Sequence, residues 1–122
     1  MIIEIDYNSS EAIYSQLKNR IIMAIALEEL RQGDNLPSVR DMANLAGINM
    51  HTVNKAYAIL RDEGYLTINR RGAVVNISSD NSLGKQALNT ELRQSIARAI
   101  SKGLSADECR EVLESVIGEF YK

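Results

Sequence analysis

Three short segments of the sequence carry apolar residues at helical spacing, and turn-forming residues separate them. The first segment runs from Glu11 to about Leu27, after a polar stretch, 7–10, that ends in a serine suited to a helix N-cap. The stretch 33–37 has the Gly, Asp, Asn and Pro of a loop. The following Ser38-Val39-Arg40-Asp41 resembles a capping box, which starts a second, shorter helix.

A third helix is predicted directly after the tight turn Ala46-Gly47-Ile48. Asn49 is a suitable N-cap, and the segment from Met50 to about Glu63 repeats apolar residues every three or four positions. Gly64 then fits the position just after a helix, where a left-handed backbone favours glycine. One face of this helix, including Tyr57, is therefore expected to join the core, and the opposite face to meet solvent.

Two short β-prone runs follow the third helix. Residues 65–68 and 73–77 are rich in β-branched and aromatic residues, and the Asn-Arg-Arg-Gly stretch 69–72 between them is typical of a hairpin turn. The order helix, helix, tight turn, helix, basic hairpin is that of a winged helix-turn-helix, whose third helix enters the DNA major groove. Residues 1–77 are therefore predicted to form a DNA-binding domain with a β-hairpin wing.

The rest of the chain predicts a polar linker, 78–84, and a helical region, 85–122. Its helices are expected to run from Lys85 to Ser101 and, after a capping box at Ser105, to about Tyr121. Two helices of about four turns cannot bury both of their apolar stripes against each other, so a second copy of the chain is expected to cover them. A purely intramolecular core is the alternative. The predicted dimerisation residues are Leu88, Leu92, Ile96, Ile100, Cys109, Val112, Leu113, Val116, Ile117 and Phe120.

The fold class expected is therefore mainly α, a winged helix-turn-helix followed by a small two-helix dimerisation domain. The net charge is only -2, so DNA binding would need a local basic patch. Four basic side chains oppose two acidic ones between His51 and Arg71.

Catalytic and metal-binding chemistry find no support in the sequence. The chain has no Ser/His/Asp set, no phosphate-binding glycine loop and no Cys/His cluster, so we expect no enzyme, no cofactor and no metal. The lone Cys109 suits a reducing cytoplasm. The longest apolar stretch, 21–27, is far shorter than the ~20 residues of a membrane span, so no membrane partner is expected.

The motifs resemble the DNA-binding domain of GntR-family transcription regulators across residues 10–77. The resemblance lies in Ala-Ile-Tyr-Ser-Gln-Leu at 12–17, Gly-Asp-Asn-Leu-Pro-Ser-Val-Arg-Asp-Met-Ala at 33–43, Gly-Ile-Asn-Met-His-Thr-Val-Asn-Lys-Ala-Tyr at 47–57 and Leu-Arg-Asp-Glu-Gly-Tyr-Leu at 60–66. The short two-helix region that follows resembles the YtrA-like subfamily. The resemblance implies a bacterial, cytoplasmic, homodimeric repressor on a two-fold symmetric operator, often encoded beside membrane-transporter genes.

The resemblance also implies which residues contact DNA. They are the arginine of a Pro-Ser-x-Arg motif, the first turns of the third helix, and the wing. Met50 departs from the subfamily, which commonly has proline or a basic residue there, and the wing sequence Gly-Ala-Val-Val-Asn-Ile at 72–77 lacks the second glycine of the usual Gly-x-Gly-Thr-Phe-Val. The implied DNA-binding residues are Arg40, Asn49, His51, Thr52, Asn54, Lys55, Arg70, Arg71 and Gly72.

The sequence leaves two further points open. A winged-helix protein-interaction module without DNA binding would also suit the net acidity and the altered wing. Salt dependence separates the two functions, because phosphate contacts release counterions. A small-molecule effector of unknown identity would have to lodge between domains or between the two copies, since no spare domain is predicted.

Overall fold

Five helices and one two-stranded antiparallel sheet make up residues 1–121, the part of the chain that the computed structural model describes. Lys122, the last residue of the predicted helical region, lies outside the described residues. The elements are α1 (Ile13–Ala26), α2 (Val39–Ala46), α3 (Met50–Asp62), β1 (Leu66–Asn69), β2 (Gly72–Val75), α4 (Ser82–Ser101) and α5 (Ala106–Phe120). They fall into two units, Met1–Ser78 and the residues from Ser79 onward. The expected mainly α fold with a β-hairpin is confirmed.

The core of the first unit is built from the apolar stripes that the helical spacing predicts. One face of each helix contributes side chains that are shielded from water, and the hairpin closes the cluster from the side. Tyr57 belongs to this core and is 4% exposed, as expected. The other buried residues are Leu17, Ile21, Ala24, Leu30, Leu36, Met42, Ala43, Val53, Ala56, Leu60, Leu66, Ala73 and Val75.

The start of α1 differs from the prediction. The helix begins two residues after Glu11, and its N-cap residue, Ala12, makes no side-chain capping bond, so the predicted serine cap is wrong. The side chain of Gln16 holds the preceding segment instead. Its Oε1 accepts a hydrogen bond from the Asp6 backbone N–H at 2.8 Å, and its Nε2 donates to the Asp6 carbonyl at 2.9 Å. An amide can do both because it carries a donor and an acceptor.

The chain has an unusual backbone conformation just after α1. Glu28 follows the helix with φ +62°, and it is the one non-glycine residue with positive φ among residues 1–121. This left-handed conformation brings Cβ close to the following carbonyl oxygen in L-amino acids, which is why glycine or asparagine normally fills such positions.

A segment predicted as loop lies along the edge of β2. The backbone N–H of Gly33 donates to the Val75 carbonyl, the Val75 N–H donates to the Asp34 carbonyl, and the Leu36 N–H donates to the Ala73 carbonyl, each at 2.9 Å. β2 therefore pairs with β1 on one side and with residues 33–36 on the other.

The second unit contains α4 and α5. α4 begins at Ser82, three residues earlier than predicted, and so includes the last residues of the predicted linker 78–84. Asp80 explains the early start, because its carboxylate accepts a hydrogen bond from the Ser82 backbone N–H at 2.9 Å. The capping box of α5 is confirmed: Ser105 Oγ accepts from the Glu108 N–H at 3.1 Å, and the Glu108 carboxylate accepts from the Ser105 N–H at 2.9 Å.

Candidate nucleic-acid interface

α2 and α3 are joined by a three-residue turn whose geometry the sequence predicts. The Ser38 hydroxyl caps α2 by accepting a hydrogen bond from the Asp41 N–H at 3.1 Å. Gly47 ends α2 with φ +67°, and Asn49 caps α3 by accepting from the His51 N–H at 2.7 Å. Because both ends of this turn are fixed, the first turn of α3 stands directly beyond it, as in a helix-turn-helix.

The buried stripe of α3 determines which of its residues face water. Since the stripe packs into the core, the remaining face carries the side chains predicted to contact DNA. His51 and Asn54 are exposed and their side chains make no hydrogen bond within residues 1–121, whereas Thr52 is half-buried. Asn49 is exposed, although its side-chain oxygen serves as the helix cap. Lys55 is exposed and lies over an aromatic ring, Tyr14, of α1.

Three arginines predicted to contact DNA have no carboxylate partner. Arg40 lies in the first turn of α2, and Arg70 and Arg71 form the tip of the wing. All three are exposed, and their guanidinium groups make no hydrogen bond or ion pair with any described residue. Three other cations of the first unit are paired, in Lys18–Glu63 at 3.4 Å, Arg20–Glu29 at 2.9 Å and Arg61–Asp62 at 3.0 Å. The positive charge of this unit that has no carboxylate partner among the described residues therefore lies on α2, on Lys55 of α3, at the wing tip and on Arg31, a residue that no sequence motif indicates.

The wing tip is fixed to the loop that precedes α2. The Asn69 side chain accepts a hydrogen bond from the Arg71 N–H at 2.8 Å, and Gly72 follows with φ +97°. This is the arrangement of a turn closed by a left-handed glycine. On the other side, Asn35 Nδ2 donates to the Arg71 carbonyl at 2.8 Å. The two arginines of the tip are thus held near the chain segment that leads to Arg40.

A buried tyrosine connects α3 to the same loop. The Tyr57 hydroxyl donates to the Pro37 carbonyl at 2.8 Å, and burial raises the pKa of this hydroxyl well above its usual range. Pro37 immediately precedes the cap of α2. The sequence identified Tyr57 as core but gave no signal for this bond, or for the bond from Asn35.

Together these bonds join α2, α3 and the wing through one short loop. The surface they form carries guanidinium groups and polar side chains without internal partners, which is the chemistry that binds phosphate oxygens and base edges. No group of three metal-ligating side chains occurs within residues 1–121.

The predicted dimerisation residues are poorly covered within one chain. Leu92, Ile96, Cys109 and Phe120 are half-buried, and none of the ten is fully buried. On α4, a shallow groove includes Leu92, Ile96 and Ile100. The exposed members of the set are Leu88, Ile100, Val112, Leu113, Val116 and Ile117.

Across residues 1–121, no helix combines the length and the apolar character needed to cross a bilayer.

The chain matches the family described as "Bacterial regulatory proteins, gntR family" over residues 13–75. These residues are just over half of the chain and include α1, α2, α3 and the wing.

Two similar proteins extend over both units. The HTH-type transcriptional repressor YtrA of Bacillus subtilis is 32% identical over 118 residues, which cover 93% of this chain and 91% of that protein. The solved structure of YtrA from Sulfolobus acidocaldarius, a GntR-family transcription factor, is 39% identical, with a TM-score of 0.61 over 98% of this chain and all of that one.

A further solved structure resembles part of the chain in fold. It is the DNA-binding domain of AraR in complex with operator ORX1, with a TM-score of 0.54 and 21% identity over 62% of this chain and 99% of that one.

Proposed function

This chain belongs to the GntR family of bacterial regulatory proteins, with the length and two-unit extent of its YtrA-like members, and on that premise we propose that it is a homodimeric repressor. It binds a two-fold symmetric DNA operator in the cytoplasm. The observation that carries the proposal is the set of exposed, unpaired arginines, Arg40, Arg70 and Arg71, on elements that hydrogen bonds join into one surface.

The residues of this surface have separate tasks in the proposed complex. His51, Thr52 and Asn54, with Asn49 before them, face the base edges of the major groove, because the first turns of a recognition helix enter it. Arg40 and the wing arginines contact phosphates, which fix orientation without reading sequence. Gly72 contributes its left-handed backbone, which shapes the wing tip. The operator complex of AraR supports this assignment through a shared fold.

A second copy of the chain completes the proposed regulator. In one chain, Leu88, Ile100 and Val112 each remain more than half exposed, and Ile100 lies in the α4 groove that also includes Leu92 and Ile96. An exposed apolar groove of this kind marks an interaction surface. Their burial between two copies places two recognition helices on half-sites spaced by roughly 34–36 Å or a multiple of it. Binding of the second half-site then becomes intramolecular, which compensates for the weak net charge of a single protomer.

The repressor role follows the name of the Bacillus subtilis relative. We extend the proposal to target genes beside transporter genes, and to a small-molecule effector of unknown identity that changes operator affinity.

A footprint on the DNA upstream of the protein's own gene, at two salt concentrations, tests the proposal. We expect a symmetric protected site that weakens steeply at the higher salt, because bound arginines displace counterions from phosphates. Analytical ultracentrifugation of the same sample should give the mass of a dimer. Absence of protection at low salt would overturn the proposal and favour a protein-interaction module.

A further inference from the structure

A cation–π contact joins α1 and α3. The Lys55 ammonium lies 3.9 Å from the centroid of the Tyr14 ring, well within the distance at which an aromatic face attracts a cation. Lys55 is exposed, and the half-buried Tyr14 packs against the core cluster, which holds the ring in place. We propose that Tyr14 is a positioning residue for DNA binding, which holds the Lys55 ammonium ready for a phosphate of the operator.

The chemistry of the contact leaves Lys55 able to bind an anion. An aromatic face attracts an ammonium group but neither removes its charge nor accepts its protons in the way that a carboxylate does. The two glutamates at the α1–α3 boundary have other partners: Glu63 pairs with Lys18 at 3.4 Å, and Glu11 accepts from Asn19 Nδ2 at 3.2 Å. The positive charge of Lys55 is therefore ordered and uncompensated.

The direction of the side chain favours phosphate over base. Lys55 lies one helical turn beyond His51, and its ammonium is drawn sideways toward α1 by the ring. A recognition helix lies along the groove, and the phosphates line the edges of that groove. An ammonium directed to a neighbouring helix therefore meets the edge, so Lys55 contributes affinity and salt dependence rather than sequence preference.

The ring matters because a free lysine side chain loses considerable rotamer entropy on binding. A contact that orders the stem beforehand reduces this cost. It should raise the DNA affinity of each protomer by about two- to five-fold, which corresponds to the free energy of an exposed cation–π pair. Two protomers on one operator would give about four- to twenty-five-fold. This inference rests on the proposed DNA binding.

The test uses the full-length protein and a labelled duplex from its own upstream region, with fluorescence anisotropy across a salt series. Tyr14→Leu should weaken operator binding by about four- to twenty-five-fold, the factor for two protomers. Tyr14→Phe keeps the ring face and should bind the operator as the wild type does. Lys55→Gln should reduce the slope of affinity against salt, and Tyr14→Leu should have no further effect in that background. Lys102→Gln, which removes a lysine at the end of α4, is the charge-matched control.

A second readout needs no DNA. The ring current of Tyr14 should shift the NMR signals of the Lys55 ε-methylene group upfield in the wild type and in Tyr14→Phe, and Tyr14→Leu should abolish the shift. Thermal unfolding identifies a misfolded variant, in which case Tyr14→Met replaces Tyr14→Leu.

Three results would overturn the inference: wild-type affinity in Tyr14→Leu, an equal loss in Tyr14→Phe, or additive losses in the double variant with Lys55→Gln. A wild-type protein that binds no DNA at any salt concentration is a different result, because it overturns the proposed function and this inference with it.

Discussion

The hydrogen bond from Tyr57 to Pro37 should stabilise the first unit by an amount that a single oxygen deletion can measure. Tyr57 is 4% exposed, and its hydroxyl donates to the Pro37 carbonyl at 2.8 Å. Tyr57→Phe removes the donor and leaves the ring in the core. A buried hydrogen bond contributes about 0.5–1.5 kcal/mol, and a carbonyl left without a donor adds to the cost, so we expect the free energy of unfolding to fall by about 1–2 kcal/mol. For a unit of this size that lowers Tm by about 4–8 °C for each kcal/mol.

The matched control is Tyr65→Phe, since Tyr65 is exposed and its hydroxyl makes no hydrogen bond with a described residue. Circular dichroism melts and urea titrations of wild type and both variants provide the measurement. Equal stability of Tyr57→Phe and Tyr65→Phe would refute the reasoning, because the bond would then contribute nothing to the folded state.

The same tyrosine gives the protein a pH dependence whose sign can be worked out. Burial raises the pKa of Tyr57 in the folded state, whereas in the unfolded chain the tyrosine hydroxyl ionises at about pH 10. The unfolded state therefore releases a proton first as pH rises, and stability that is complete below about pH 10 declines above it. We expect the decline between pH 10 and 11 to be smaller in Tyr57→Phe; a decline of equal size would exclude Tyr57 as its source.

Three further predictions concern a backbone conformation, the DNA surface and the apolar face. Glu28→Gly should raise the free energy of unfolding by about 0.5–1 kcal/mol, because glycine adopts φ +62° without steric cost; a lower Tm in the same melts would contradict this. Arg40→Ala should weaken operator binding at least about a hundred-fold, since each of two protomers loses a charged hydrogen bond of about 1.5 kcal/mol or more. Arg61→Ala, whose guanidinium is already paired with Asp62, should change affinity little in the same anisotropy assay, and equal effects would remove Arg40 from the interface. Ile117→Asp should convert the dimer to monomers in analytical ultracentrifugation, whereas Glu114→Gln on the same helix should not; a dimer that survives Ile117→Asp would place the interface elsewhere.

The sequence was sufficient to predict the elements whose formation depends on local signals. The stripe of α3, the Asn49 cap and the capping box at Ser105 each follow from residues within a few positions of one another, and the structure contains all three. The sequence predicts the start of α4 three residues too late, because Asp80 and Ser82 are typical of a linker, although an Asp side chain can also start a helix.

The features that escaped prediction depend on groups far apart in the chain. The pairing of residues 33–36 with β2 uses backbone groups, which every residue possesses, so no side-chain pattern indicates it. The bonds from Asn35 to Arg71 and from Tyr57 to Pro37 exist because the fold brings distant segments together. The positions of the candidate DNA-binding residues could be predicted from motifs, whereas the groups that orient them could not.

The pairing of residues 33–36 with β2 also affects how the protein behaves at high concentration. A strand with one open side presents a row of unsatisfied N–H and C=O groups that another chain can extend into an aggregate. Here that side of β2 is occupied by the protein's own backbone, from Gly33 to Leu36. A second copy of the chain therefore cannot extend the hairpin through β2, which leaves β1 as the edge of the wing that stays open among the described residues.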